Sequence, residues 1–251
     1  MKAARYYAHS EIAIEIKDLN KSFGNQHVLI NLNLNLYKGE NLAVLGKSGS
    51  GKSVLLKCIV GLVSPESGIV KVLGKDVLGL AQFEMDKIRM KIGFLFQSNA
   101  LYDSMTVREN LEFPLRRHGL KYNKKEVDDM VFESLSNVSL PETAGKMPAE
   151  LSGGMKKRIA LARTLMMKPD IILYDEPTTG LDPITSREIS NLILSVQEKY
   201  HSSAIIITHD INCVKIVADR IIMLIDGYAY AEGSYSELAN SDDPKIKSFF
   251  E

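Results

Sequence analysis

Hydrophobic and polar residues alternate in two segments near the beginning of the chain. The segment IAIEI places isoleucine at every second position, and NLNLNL does the same with leucine. A period of two puts alternate side chains on opposite faces of a strand, so both segments predict half-buried β-strands. We expect these strands to pair in an antiparallel amino-terminal sheet. Their apolar positions are Ile12, Ile14, Ile16, Leu32, Leu34 and Leu36.

Five short runs of mostly apolar residues predict strands that are buried more completely. These runs are NLAVLG (41–46), IGFLF (92–96), IILY (171–174), AIIIT (204–208) and RIIMLI (220–225). Asp226 and Gly227 follow the last run and precede YAYAEG, which is typical of a tight hairpin.

Two segments have the apolar spacing of an amphipathic helix. The first begins after residue 53, and we expect the turn SPESG to close it. Its apolar positions are Val54, Leu55, Cys58, Ile59 and Leu62. The second follows Asp182 and Pro183, a pair that is typical of a helix start. Its apolar positions are Ile189, Leu192, Ile193 and Val196.

About seventy residues separate the runs 92–96 and 171–174, which is long for a simple strand-helix-strand crossover. Most of this segment has helical character. Thr106 with Glu109 predicts a capping box, and MKKRIALARTLMM predicts a further helix. We interpret residues 1–251 as one domain. Its expected parts are a core (12–97 and 168–232), an inserted helical subdomain (98–167) and a carboxyl-terminal tail (233–251).

The composition is that of an ordinary globular protein, with 45% apolar and 25% charged residues. Thirty-one basic residues balance 31 acidic residues, so net charge gives no reason to expect binding to nucleic acid. No run approaches the ~18 apolar residues of a membrane span, and MKAARYYAHS lacks the apolar run of a signal peptide. Cys58 and Cys213 lie in apolar helical contexts, so we expect core thiols and a reducing cytoplasm.

The segment GKSGSGKS (46–53), here called the phosphate loop, lies between a predicted strand and a predicted helix. It matches the pattern G-x-x-x-x-G-K-[ST] through Gly46, Gly51, Lys52 and Ser53. Glycines allow backbone amides to curve around phosphates, and a helix amino terminus attracts anions. Lys52 is therefore expected to reach the terminal phosphates, and the Ser53 hydroxyl to contact Mg²⁺. The alternative is a flexible loop without chemistry.

A second candidate element lies in IILYDEP, where an apolar strand ends in Asp175 and Glu176. Ligands of open parallel sheets bind at this end of the strands. Asp175 is expected to hold Mg²⁺, and Glu176 to orient or deprotonate the water that attacks the γ-phosphate. Two such carboxylates without a phosphate loop would more often form a solvated turn.

The segment LSGGMKKRIALAR (151–163) predicts a second anion site at a helix start, formed by Ser152, Gly153 and Gly154. The alternative is an ordinary serine cap. A chain with two such helix starts can place each nucleotide between the phosphate loop of one copy and the LSGG segment of another. This arrangement predicts a two-fold dimer.

In these motifs the chain resembles the ATP-binding subunits of ABC transporters, from about Ile12 to about Leu238. Their order also matches: the phosphate loop, Gln97, LSGGM (151–155, here called the signature segment), IILYDE (171–176), GLD (180–182) and His209. The resemblance implies an α/β fold of the P-loop ABC ATPase type. Its parts are a mixed central sheet, an antiparallel β subdomain and an inserted α-helical subdomain. ATP and Mg²⁺ are the implied ligands.

The resemblance also implies roles for residues that carry little information alone. Phe23 would stack on adenine, Gln97 would contact Mg²⁺ and the attacking water, and His209 would contact the γ-phosphate. Without the family these would be a core residue, a surface residue and a polar cap. Asp182 would bridge the dimer, although it also fits a simple helix cap. Lys47, Ser48 and Ser50 are expected to tolerate substitution.

Three groups of site residues follow from the resemblance. The expected nucleotide contacts are Phe23, Gly46, Lys47, Ser48, Gly49, Ser50, Gly51, Lys52, Ser53, Val54, Gln97, Ser152, Gly153, Gly154, Asp182 and His209. The expected catalytic residues are Glu176, His209, Gln97 and Lys52. The expected Mg²⁺ ligands are Ser53, Gln97 and Asp175.

The signature segment ends in Met155, where most family members have glutamine. With residues 96–115 and the ending DPKIKSFFE, this methionine resembles the ATPases of Mce-associated lipid transporters. The resemblance implies membrane permease subunits, an Mce-type lipid-binding protein and a small regulatory subunit as partners. It also implies a position at the cytoplasmic face of the inner membrane. Neutral drift is the alternative explanation of Met155.

Two other functions share the nucleotide motifs. An import ATPase for amino acids, metals or other small solutes differs only in the coupling region and at Met155. A soluble ABC ATPase of DNA repair or translation typically has two cassettes or a coiled-coil insertion and basic surfaces. One cassette, no heptad run and zero net charge disfavour that class.

The tail, with Ile246, Phe249 and Phe250 after Pro244, either docks on a partner or covers its own domain.

Overall fold

The computed structural model describes residues 11–250, so the prediction for residues 1–10 lies outside it. The strands are β1 Ile12–Phe23, β2 Gln26–Tyr37, β3 Asn41–Leu45, β4 Ser67–Val72, β5 Lys75–Asp76, β6 Ile92–Leu95, β7 Ile171–Asp175, β8 Ser203–Thr208, β9 Arg220–Ile225 and β10 Tyr228–Gly233. The helices are α1 Lys52–Ile59, α2 Gln82–Arg89, α3 Val107–Arg117, α4 Lys124–Asn137, α5 Gly153–Leu165, α6 Pro183–Tyr200, α7 Ile211–Val217, α8 Tyr235–Ala239 and α9 Pro244–Lys247. Short 3-10 turns span Pro141–Thr143 and Pro148–Glu150.

The antiparallel amino-terminal sheet is confirmed. Within residues 11–250 it has the strand order β2-β1-β4-β5, and β1 pairs antiparallel with both β2 and β4. Ile14 and Ile16 are buried, whereas Glu15 between them binds the ammonium groups of Lys17 and Lys71. The alternation therefore separates a core face from a solvated face.

The second sheet has the order β10-β9-β3-β8-β7-β6 within the described residues. Its β10 is antiparallel to β9 and the other pairs are parallel, so the sheet is mixed as predicted. Every residue of β3, β7 and β8 is buried. In β7, Ile171 and Leu173 belong to the core under the antiparallel sheet, and Ile172 and Tyr174 to the core under α5 and α6. Burial on both faces explains the continuous apolar runs.

Helix α1 is shorter than the apolar spacing predicts. It ends at Ile59, and Leu62 is 59% exposed, so its assignment to the apolar face was wrong. The Gly61 N–H donates to Cys58 O (3.1 Å) and the Leu62 N–H to Lys57 O (2.8 Å), while Gly61 has a φ of 65°. This is the glycine-terminated Schellman end, so Gly61 rather than SPESG closes the helix.

The inserted segment is helical, as predicted, and has its own apolar core. Helices α3, α4 and α5 supply that core, which includes Leu111, Leu135 and Ile159. Thr106 and Glu109 form the predicted capping box of α3. The strand before the insertion ends at Leu95, so Phe96, which was assigned to it, lies outside the sheet.

Two further predictions from turn chemistry are confirmed. Asp182 caps α6 at the predicted position, and Ile189, Ile193 and Val196 are buried beneath it. Leu192 is partly buried between two apolar cores. Asp226 and Gly227 both have positive φ and connect β9 to the antiparallel β10.

The tail packs on its own domain. Ile246 is 7% exposed and belongs to an apolar core with residues of β3, α7 and β9. Phe249 and Phe250 pack against the same core, and the Phe250 ring lies 5.5 Å from that of Tyr235 in an edge-on arrangement. Of the two interpretations of the tail, the structure supports a cover for its own domain.

We expect Ile246→Ala to lower the free energy of unfolding by about 3 kcal/mol, because it leaves a cavity under the tail. The matched control is Ile184→Ala, since Ile184 is 74% exposed and its truncation should cost less than about 0.5 kcal/mol. Urea unfolding of the two variants measures the difference. Equal stabilities would contradict the packing of the tail on this core.

Both cysteines are core residues, as predicted. Burial raises the pKa of the Cys58 thiol to about 11 and that of the Cys213 thiol to about 12. Both thiols therefore stay protonated and unreactive near neutral pH.

Among residues 11–250, every helix is too short or too polar to span a lipid bilayer.

Candidate functional site

The phosphate loop connects the end of β3 to the start of α1. Gly51 has a φ of 101°, and a Cβ on it would lie 2.8 Å from the carbonyl oxygen of Val28. Gly46 is equally confined, because a Cβ there would lie 2.6 Å from the carbonyl oxygen of Leu224. Both positions therefore require glycine, for backbone conformation at Gly51 and for space at both.

Lys52 begins α1 and is 5% exposed. Its Nζ donates to the carbonyl oxygens of Gly46 (2.7 Å) and Lys47 (3.0 Å) and lies 3.3 Å from Glu176 Oε1. A buried ammonium with these partners stiffens the loop and places one positive charge beside the end of β7.

Parallel strands of the second sheet bring Ser53 and Asp175 together across 122 residues of sequence. The Ser53 hydroxyl donates to Asp175 Oδ1 at 3.1 Å. Burial raises the pKa of the Asp175 carboxyl, and the hydrogen bond from Ser53 opposes this rise. Hydroxyl and carboxylate oxygens are hard ligands that fit Mg²⁺. Within residues 11–250 no group of three or more His, Cys, Asp or Glu residues is placed so that it could hold a metal ion.

Glu176 has an unusual backbone and several fixed contacts. Its φ is 49°, in the left-handed region, and its N–H donates to Ile207 O at 2.9 Å. Its Oε2 accepts from the Thr179 hydroxyl (3.1 Å) and lies 2.9 Å from His209 Nδ1. Strained backbone of this kind concentrates at functional sites. The carboxylate is thus held at the carboxyl edge of the sheet, although the sequence did not indicate Thr179.

A cavity of about 290 Å³ lies over the phosphate loop. Its eleven lining residues come from β1, β2, the phosphate loop, α1 and the segments that follow β6, β7 and β8. They include Phe23, which is 51% exposed. The lining residues are Phe23, Val28, Ser48, Gly49, Gly51, Lys52, Ser53, Val54, Gln97, Glu176 and His209. Ten of them were predicted from the sequence, and Val28 was not.

Two predicted loop residues, Lys47 and Ser50, line a neighbouring cavity of about 620 Å³, which shares Val28, Ser48 and Gly49 with the first. There the Lys47 ammonium lies 5.8 Å from the ring centre of Phe249 in the tail. Gly46 and Asp175 adjoin the smaller cavity through their contacts with Lys52 and Ser53.

The signature segment does not line the cavity over the phosphate loop of its own chain. Ser152 caps α5 by accepting from the Met155 N–H at 3.2 Å. A Cβ on Gly154 would lie 2.7 Å from Cγ2 of Thr185, so the start of α5 packs on the start of α6. Gly153 faces the same region, since a Cβ on it would approach Leu181.

Asp182 lies in the region where the start of α5 packs on the start of α6. Its Oδ1 accepts from the N–H groups of Ile184 and Thr185, both at 3.0 Å. The hydrogen bond from the Thr185 hydroxyl, together with these N–H groups, lowers the pKa of its carboxyl. The structure therefore shows the helix cap.

Two basic residues of α5, which were not predicted from the sequence, bind the backbone of residues 97–100. Lys157 is 2% exposed and its Nζ donates to Gln97 O at 2.8 Å. Arg163 donates to Ala100 O at 2.6 Å. The available signal was the position of Lys157 on the buried face of α5, one turn before Leu161.

Residues 29–179 match the family model described as ABC transporter. The chain belongs to the ABC transporter family. The predicted family, the fold class and the ATP-hydrolysing activity are thereby confirmed for this ATPase.

Three curated relatives illustrate the range of names in the family. The "Probable ribonucleotide transport ATP-binding protein mkl" of Mycobacterium leprae is 40% identical over 95% of the ATPase and 68% of its own length. The "Intermembrane phospholipid transport system ATP-binding protein MlaF" of Haemophilus influenzae is 38% identical over 94% and 89%. The "Methionine import ATP-binding protein MetN" of Clostridium tetani is 36% identical over 95% and 74%.

A solved structure of the ATP-binding cassette MJ0796 superimposes with a TM-score of 0.81 and is 36% identical. The match covers 88% of the ATPase and 98% of the MJ0796 chain. That structure is a dimer in a post-hydrolysis state, bound to ADP and phosphate.

Proposed function

We propose that this ABC transporter ATPase drives the transport of phospholipid or another lipid between envelope membranes. The observation that carries the proposal is Met155 at the end of the signature segment, together with residues 96–115, both of which resemble Mce-associated ATPases. The similarity to MlaF over 94% of the chain supports it. The similarity to MetN supports the second candidate, import of a small solute such as an amino acid or a metal.

The cavity over the phosphate loop is the proposed nucleotide site. Backbone amides of residues 46–51 and the Lys52 ammonium bind the phosphates, because they supply N–H donors and positive charge at a helix start. Phe23 offers its exposed ring to adenine. The other contacts proposed within the same copy are Lys47, Ser48, Gly49, Ser50, Gly51, Ser53, Val54, Gln97 and His209.

Ser53, Asp175 and Gln97 are the residues that would hold Mg²⁺. When bound, the ion neutralises charge on the phosphate oxygens. Glu176 accepts the proton of the attacking water, and the fixed contacts with Thr179 and His209 orient its carboxylate for this step. His209 is therefore proposed to act both on Glu176 and on the γ-phosphate.

The second half of each site comes from another copy of the chain. Ser152, Gly153 and Gly154 form a helix start that lies away from its own phosphate loop and suits a partner's γ-phosphate. Asp182 adjoins them through Thr185. Hydrolysis and loss of phosphate remove the shared contact, so the dimer loosens.

The proposed partners are integral-membrane permease subunits, an Mce-type lipid-binding protein and a small regulatory subunit. The permease would hold the ATPase at the cytoplasmic face of the inner membrane. Zero net charge gives the chain no general attraction to nucleic acid.

Purification of the native complex from membranes tests the proposed substrate. We expect the ATPase to co-purify with a permease, an Mce-type protein and phospholipid, identified by mass spectrometry. Recovery of a periplasmic amino-acid-binding or metal-binding protein instead would contradict the lipid proposal and support the importer.

A further inference from the structure

Helix α5 holds the segment that carries Gln97. The Lys157 ammonium donates to Gln97 O at 2.8 Å. The Arg163 guanidinium donates to Ala100 O at 2.6 Å and to Asn99 O at 3.2 Å. Two basic side chains of one helix therefore bind three carbonyl groups within four residues of backbone. We call Lys157 and Arg163 the α5 clamp.

The clamped backbone has two consecutive residues in the left-handed region. The φ of Asn99 is 64° and that of Ala100 is 50°. Alanine disfavours this region because its Cβ crowds the following carbonyl group, so this conformation persists only when its surroundings fix it. The α5 clamp supplies two charge-assisted hydrogen bonds at these residues, and such bonds are stronger than neutral ones.

Burying the two charged side chains of the α5 clamp has a desolvation cost, and this cost argues that the clamp has a function. Burial lowers the pKa of the Lys157 ammonium, and the carboxylates of Asp175 and Glu176 oppose this effect. Burial also lowers the pKa of Arg163. An apolar side chain at position 157 would fill the same space without the desolvation cost. What lysine adds is a fixed hold on the Gln97 backbone and a positive charge near the two carboxylates.

The same helix begins at the signature segment. Lys157 lies five residues after Ser152, so little more than one helical turn separates the anion-binding start of α5 from the hold on Gln97. The side chain of Gln97 lines the cavity over the phosphate loop. In the proposed dimer, the start of α5 contacts the nucleotide of one site and Gln97 contacts the nucleotide of the other. The α5 clamp connects these two contacts, because Lys157 binds the backbone of Gln97.

We propose that Lys157 and Arg163 are positioning residues that set Gln97 for hydrolysis according to the position of α5. This inference rests on the proposed roles of Gln97 and of the signature segment. The clamp acts through the backbone of Gln97 and touches no nucleotide. It therefore changes the rate of hydrolysis and leaves nucleotide affinity almost unchanged.

Steady-state hydrolysis by the full chain tests the proposal. We expect Lys157→Met to lower kcat at least about tenfold with less than about a twofold change in KM, because small displacements of a positioned group cost rate. Lys157→Arg keeps a donor and should retain at least about a third of the parent kcat. Lys125→Met, at an exposed lysine of α4, should match the parent. A parent-like kcat for Lys157→Met overturns the proposal.

Gln97→Ala distinguishes a failure of this proposal from a failure of the proposed role of Gln97, on which it rests. If Gln97→Ala hydrolyses ATP at the parent rate, the proposed role of Gln97 is wrong. If Gln97→Ala is slow and Lys157→Met is not, only the α5 clamp is wrong.

A tryptophan probe reports directly on the clamped segment. The chain contains no tryptophan, so Phe96→Trp places the only indole beside Gln97. In this background we expect Lys157→Met to raise the acrylamide quenching constant at least about twofold, since the released segment exposes the indole more often. Lys125→Met should leave it unchanged. A slower kcat without increased quenching contradicts a positioning role.

Arg163→Gln keeps the test decisive if Lys157→Met does not fold. Arg163 is only partly buried, and its loss should lower kcat about threefold and raise the quenching of the indole introduced by Phe96→Trp. Circular dichroism and ATP-binding stoichiometry establish that each variant is folded. Parent-like kcat and quenching in Arg163→Gln would overturn the proposal in that case.

Discussion

Glu176→Gln is expected to reduce ATP hydrolysis at least about a hundredfold, because the amide cannot accept the proton of the attacking water. The hydrogen bond from Thr179 and the contact with His209 can both persist, since glutamine keeps a carbonyl oxygen at this position. Nucleotide binding should therefore remain, and ATP should hold the variant in its dimeric state. Phosphate release measures the rate, and size-exclusion chromatography with ATP measures the dimer.

Glu198→Gln is the matched control for this substitution. Glu198 is an exposed residue of α6, and its variant should hydrolyse ATP within about twofold of the parent. Hydrolysis by Glu176→Gln at the parent rate would show that another group accepts the proton. A variant that no longer bound ATP would instead assign Glu176 to nucleotide binding.

Two inactive variants should restore activity when they are mixed, because each site takes its halves from different copies. Lys52→Met removes the ammonium from the phosphate loop, and Gly154→Asp places a carboxylate where the partner's phosphate would lie. A mixed dimer joins the intact phosphate loop of the Gly154→Asp copy to the intact signature segment of the Lys52→Met copy. Random pairing of equal amounts gives at most about a quarter of the parent activity if the two sites act independently.

Differently tagged copies make this experiment quantitative. Tandem affinity purification isolates the mixed dimer, and each variant alone should remain below about one hundredth of the parent rate. A folded mixed dimer without activity would contradict the shared site. Substantial activity in either variant alone would contradict the proposed role of the substituted residue.

The buried sheet could be predicted because its physical signal is local. A parallel strand that is covered on both faces must be apolar along its whole length, and β3, β7 and β8 follow this rule. The end of α1 could not be predicted in the same way. Its apolar spacing continues to Leu62, but the backbone of Gly61 ends the helix first and leaves Leu62 exposed.

The candidate site was predictable where the topology brings strand ends together. Ser53 and Asp175 meet across 122 residues because parallel strands end at the same edge of the sheet. Lys157 could not be assigned by this argument, since its partner is a backbone carbonyl 60 residues away and any residue type supplies one. Thr179 was missed for a similar reason, because its role depends on the left-handed turn at Glu176.

Gly154 lets the start of α5 pack closely against Thr185 at the start of α6, and we call these two helix starts the block. In the proposed dimer, the residues through which one copy contacts its neighbour's nucleotide all belong to this block. The signature segment and Asp182 of one copy therefore approach the neighbouring site together or not at all. The neighbouring site would then be complete or open, with no stable half-assembled form between the two.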